Sequence, residues 1–128
     1  MSATACPCGS GRTIAACCGR YLDTQTPAPD AEALMRSRYT AYALGKASYL
    51  LDTWHPATRP AVLQLDEEPR PRWIGLTVKR HEIQDADHAI VEFIARYKIN
   101  GRAFKLYETS RFVRADERWF YVDGDVAE

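Results

Sequence analysis

The chain lacks a net charge: seventeen basic side chains offset seventeen acidic ones among 128 residues. That balance removes the long-range field with which nucleic-acid binders collect phosphates. The basic pair in Arg70-Pro71-Arg72 follows Asp66, Glu67 and Glu68, which neutralise it, so nucleic acid is not an expected partner. No run of eighteen apolar residues occurs, which excludes a transmembrane helix and leaves no membrane role to expect. The start, Met1-Ser2-Ala3-Thr4-Ala5, has neither a basic n-region nor an apolar h-region. A signal peptide is therefore not expected, and a reducing cytoplasm is the expected compartment. The G-x-S-x-G elbow and the G-x4-G-K phosphate loop are both missing. No cysteine follows residue 18.

All four cysteines instead crowd the first twenty residues, as Cys6-Pro7-Cys8-Gly9-Ser10-Gly11 and Cys17-Cys18-Gly19. Two closely spaced ligand pairs can fold back so that four thiolates reach one tetrahedral ion, the closed set of a structural zinc site. Gly9, Gly11 and Gly19 stand where the backbone must turn sharply, and Pro7 stiffens the first pair. Disulfides need an oxidising compartment, and Cys6–Cys8 or Cys17–Cys18 bridges would close very small rings. Free redox thiols and an iron–sulfur cluster remain alternatives, although the C-x2-C steps of the latter are missing. Four thiolates plus one zinc ion sum to about −2, which Arg12 and Arg20 could offset.

The stretch Cys6-Pro-Cys-Gly-Ser-Gly-Arg12 with Cys17-Cys18-Gly19 resembles the SEC-C motif, a zinc-binding module also found at the C-terminal tail of the SecA ATPase. The remainder resembles the YchJ-type proteins of bacteria through Leu34-Met-Arg-Ser-Arg-Tyr39, Tyr49-Leu-Leu-Asp-Thr-Trp-His-Pro56, Glu108-Thr-Ser-Arg-Phe112 and Trp119-Phe-Tyr-Val-Asp-Gly124. The resemblance implies one structural zinc on Cys6, Cys8, Cys17 and Cys18. It also implies a nuclear transport factor 2-like body, a curved sheet wrapped around helices as a cone. It implies no activity. The family pattern has His before the position of Glu108, where this chain has Tyr107, so no role for that His carries over.

One ordinary core is all that 128 residues can build. The expected organisation is a knuckle over residues 1–22, a polar, proline-containing linker over 23–30 and an α+β body over 31–128. Twenty-odd residues bury too little apolar surface to fold alone, so zinc binding, on the order of 10–16 kcal/mol, would have to organise the knuckle. Asp30 is a good N-cap for a helix Ala31–Leu44 stopped by Gly45. A shorter helix Ala47–Trp54 ends at His55-Pro56. The proline-rich stretch after it predicts an irregular connection.

From Trp73 the apolar period becomes two, with Ile74, Leu76 and Val78 on one face of a strand. Asn100-Gly101 predicts a two-residue hairpin between strands of about His88–Ile99 and Arg102–Arg114. If Ile99 faces Arg102, then Tyr97, Ala95, Phe93, Val91 and Ala89 oppose Phe104, Leu106, Glu108, Ser110 and Phe112 on one apolar face. A turn at Ala115-Asp-Glu117 leads to a last strand, Arg118–Val122.

Glu108 and Ser110 are anomalous on that face, because a buried carboxylate needs a partner. Arg38 lies in the helix stripe of Leu34, Met35, Ala41, Tyr42 and Gly45, so a bidentate Arg38–Glu108 pair is expected. His55, with Asp52 nearby, is a weaker candidate base. His81 and His88 are expected to flank a turn. Asp123-Gly124-Asp125 falls far short of a calcium loop. The aromatic residues fit a packed cone centre better than a binding cavity. Together these features point to a small zinc-binding accessory protein that meets a protein partner through its knuckle. The alternative is an enzyme or small-molecule-binding protein with a pocket near Arg38, Glu108 and Ser110.

Overall fold

The computed structural model describes residues 4–22, 24, 26–63, 65 and 70–127. The Met1–Ala3 start, parts of the 23–30 linker and the Asp66, Glu67, Glu68 run lie outside the described residues. After a 3-10 turn at Ile14–Ala16 come helices α1 (Gly19–Leu22), α2 (Ala31–Leu44) and α3 (Ala47–Asp52). Strands β1 (Arg72–Asp85), β2 (His88–Ile99), β3 (Arg102–Ala115) and β4 (Arg118–Ala127) follow as an antiparallel meander in chain order. The architecture is α+β, with the sheet curved around α2.

Helix α2 has the expected bounds. The Asp30 carboxylate accepts from the Ala33 amide at 2.8 Å, and Gly45 turns left-handed at φ 73°. Its burial is wider than one stripe: Ser37 and Thr40 are as buried as Leu34 and Met35. The knuckle and α3 cover the flank that the apolar pattern leaves to solvent. Helix α3 stops at Asp52 rather than Trp54, because the chain then bonds to β4: Tyr121 N–H donates to Thr53 O, and His55 N–H to Tyr121 O, both at 2.8 Å.

The β2–β3 pairing follows the Asn100-Gly101 turn, with Ile99 opposite Arg102, Phe93 opposite Glu108 and Val91 opposite Ser110. Asn100 and Gly101 both take positive φ, which twists the turn with the strands. Strand β1 departs from expectation. A bulge at Ile74 breaks the alternation, so Trp73 rather than Ile74 faces inward with Leu76 and Val78, and Ile74 is 46% exposed. The strand also runs on to Asp85, so His81 sits within it, and only His88 adjoins the turn. Strand β4 continues past Val122 to Ala127, because a bulge beside Phe112 resets the pairing and brings Gly124 opposite Ser110.

Candidate metal centre and cone cavity

The knuckle is a small loop frame. Ala5 bridges Thr13, Cys6 N–H donates to Arg12 O at 2.9 Å, and Gly9 N–H to Cys6 O at 3.1 Å. Gly9 and Gly11 use positive φ to close it; Gly19 does not, and instead opens α1. The four sulfurs lie within 4.8 Å of one another, and all four cysteines are buried.

Cys8 Sγ and Cys17 Sγ stand 3.6 Å apart. That is far beyond a disulfide, and close to the roughly 3.8 Å edge of a tetrahedron with 2.3 Å metal–sulfur bonds. Hydrogen bonding from Cys18 holds the Cys8 thiol well below its usual range. Burial pushes Cys17 up, and the bond to Cys8 followed by burial pushes Cys18 up. The thiols thus compete for negative charge, a conflict that a divalent cation resolves by favouring every thiolate. The donor set is compatible with binding one metal ion.

The frame is docked on the body rather than hung from it. Arg36 Nη1 donates to Cys8 O at 3.0 Å while its Nε holds Glu32 at 3.1 Å. Cys6 Sγ meets Thr40 Oγ1 at 3.6 Å, and Gly9 lies so close to β1 that a Cβ there would sit 3.5 Å from Leu76 O. Ser10 Oγ donates to Cys17 Sγ at 3.1 Å.

The second feature is a cavity of about 280 Å³ inside the cone, between α2 and the sheet. Arg38, Glu108 and Ser110 all line it, with Tyr42, Trp73, Phe93 and Tyr121. The aromatic residues therefore wall a space as well as fill the core. The expected Arg38–Glu108 ion pair does not form among the described residues. Arg38, only 5% exposed, donates from Nη1 to Leu50 O and Thr53 Oγ1, each at 2.7 Å. Its guanidinium stacks over Tyr121 at 4.6 Å and Trp54 at 5.1 Å. The Leu50 carbonyl, the Thr53 hydroxyl and these rings satisfy it in place of Glu108; burial lowers its pKa.

Glu108 turns instead to its own sheet. Its Oε2 accepts from Ser110 Oγ at 2.5 Å and from Tyr121 OH at 3.5 Å. Tyr121 stands between the two charges, and its hydroxyl pKa is pushed upward by burial and then by Glu108. Sequence reasoning missed Tyr121, although the turn at Asp116–Glu117 sets Ala115 opposite Arg118 and so Phe112 opposite Tyr121. It also missed Gly124, where a Cβ would fall 2.3 Å from Glu108 Oε2.

His55 lies outside the cavity. Its Nδ1 accepts from Ala57 N–H at 3.1 Å, and its ring packs edge-on to Phe120. Asp123 and Asp125 bind Arg111 on the outer face, at 2.5 and 2.8 Å.

A buried four-cysteine knuckle fused to a cone of this kind defines a class, the SEC-C proteins with a nuclear transport factor 2-like body. Residues 4–20 match the SEC-C motif, and residues 30–124 match the family model described as YchJ, middle NTF2-like domain; the chain belongs to that YchJ family. A UPF0225 protein of Polaromonas naphthalenivorans is 56% identical over 136 residues, covering 95% of this chain and 97% of the relative. One from Chromobacterium violaceum is 59% identical over 128 residues, covering 96% and 93%. The solution structure of a SEC-C motif containing protein from Rhodopseudomonas palustris superposes with a TM-score of 0.84 at 34% identity, over 96% of this chain and 98% of that one. The crystal structure of a SEC-C motif containing protein from Psychrobacter arcticus gives 0.78 at 29%, over 96% and 82%. No helix among the described residues is long and apolar enough to cross a membrane.

Proposed function

We propose that the protein is a small cytoplasmic accessory protein whose knuckle holds one structural zinc ion through Cys6, Cys8, Cys17 and Cys18 and presents its rim to a protein partner. The observation that carries this reading is the buried tetrad of sulfurs within 4.8 Å. Four thiolates fill a tetrahedral shell and leave no position for a reacting water, so the ion organises and does not catalyse. The rim is exposed at Gly9, Gly11, Arg12, Ala15, Ala16 and Arg20, and the docking contacts to α2 hold it in one shape. Residues 1–22 form the metal-organised unit, 23–30 the connection and 31–128 the body that carries it.

Elemental analysis of the purified chain is expected to find one zinc per molecule, and none in a Cys6→Ser/Cys17→Ser variant. Zinc retained by that variant, or absent from protein never exposed to chelator, overturns the metal assignment. For the partner, a photo-crosslinker at Arg12 is expected to capture one protein in cells, and the same group at Lys105 on the outer sheet to capture none. Equal capture from both positions overturns the rim as the interface.

A further inference from the structure

We propose that the cone cavity binds a small arylalkylamine, its protonated nitrogen held by Glu108 and its ring against Trp73 and Phe93. This goes beyond the knuckle reading and does not depend on it. The cavity carries one carboxylate that the fold positions but leaves half-used. Ser110 and Tyr121 both donate to Oε2, whereas Oε1 receives no hydrogen bond from any described residue, and Glu108 lines the cavity. No described cation pairs with this carboxylate, and Arg38 is committed to Leu50 O, Thr53 Oγ1 and two ring faces.

Gly124 is the backing for this arrangement. It lies opposite Ser110, and the Glu108 carboxylate occupies the space a Cβ would take, so β4 gives up a side chain where the acid lies. On the wall of the same cavity, Trp73 is fixed edge-to-face by Tyr39 at 5.8 Å and tilted against Tyr42 at 6.1 Å. A carboxylate oxygen beside a fixed aromatic wall is the pairing that recognises an ammonium group with an attached ring: charge-assisted hydrogen bond on one side, ring and cation contacts on the other. A volume of 280 Å³ is at the low end for ligand sites and suits one ring with a short chain.

The preference for a cation over an anion follows from which charge already has partners. Arg38, on the same cavity wall, donates to Leu50 O and Thr53 Oγ1 and lies against the Tyr121 and Trp54 rings. Glu108 lines the same cavity and has no ion-pair partner among the described residues.

The test uses the zinc-loaded full chain and three probes of one shape: 2-phenylethylamine, 2-phenylethanol and phenylacetate. NMR titration is expected to give saturable shifts at the Trp73 indole and at Phe93 and Ser110 with the amine, at least tenfold tighter than with the alcohol or the acid. Glu108→Gln is expected to weaken the amine at least tenfold, and Ala95→Leu, which fills the cavity without changing charge, to abolish binding. Should Glu108→Gln not fold, the amine–alcohol comparison on the unaltered chain decides alone. Equal affinity for the three probes, a preference for phenylacetate, or no saturable shift at cavity residues with any of them overturns the proposal.

Discussion

The knuckle and the cone are both buried, but their burial has opposite origins. In the cone, Leu34, Leu50, Val91 and Phe112 leave water as apolar groups, and the gain grows with area. In the knuckle the hidden groups are four thiols, whose charge competition makes their closeness unfavourable without a cation. The same chain therefore contains one region ordered by what it excludes and another whose four thiols are suited to order around a bound cation. The contacts of Arg36 with Cys8 O and of Cys6 with Thr40 join the two.

Metal removal is the largest perturbation expected to separate them. Chelation should withdraw on the order of 10 kcal/mol from the knuckle and collapse amide dispersion for residues 4–22. Amides of Arg102–Ala115 should keep their dispersion; loss of both sets together would make the two regions one cooperative unit.

Within the cone, Arg38→Met is expected to cost about 2–4 kcal/mol in chemical unfolding, since Leu50 O and Thr53 Oγ1 lose their donor. Glu108→Gln should cost under about 1 kcal/mol, and the double variant should depart from additivity by only about 0.5–1 kcal/mol, because the two side chains form no ion pair but share Tyr121 as a partner. Strong coupling would restore the ion pair that the structure lacks. Gly124→Ala should cost about 1–3 kcal/mol by driving a methyl into Glu108, and most of that cost should vanish in a Glu108→Ala background.

Smaller effects sharpen the contrast from the surface. Asp30→Ala removes the α2 cap, for about 1 kcal/mol in thermal or chemical unfolding. Arg111 holds the Asp125 carboxyl below its usual range, a depressed folded-state pKa. Its contribution is therefore present at neutral pH and fades as pH falls through the carboxylate range. Both partners are solvated, so Arg111→Gln should barely move the melting temperature, and added salt should erase even that difference.

Local chemistry made several features legible. The cysteine spacing brought four sulfurs to one point, Asp30 and Gly45 bounded α2, and Asn100-Gly101 set the β2–β3 register, because capping and two-residue turns act over a few residues. Glu108 and Ser110 were legible as inward polar residues for the same reason. Bulges were not, since an extra residue at Ile74 or Val122 leaves the composition of its strand unchanged while reversing which residues face inward.

The sequence by itself determined the α+β order, the clustered thiols and the hairpin, all of which rest on neighbours in the chain. Tertiary structure alone decided what Arg38 touches, that Tyr121 stands between it and Glu108, that Gly124 makes room for the carboxylate and that the knuckle seats on α2. Each of these depends on groups far apart in sequence. Which of several partners a buried charge meets is set by the distances that packing imposes, and no local pattern encodes those distances.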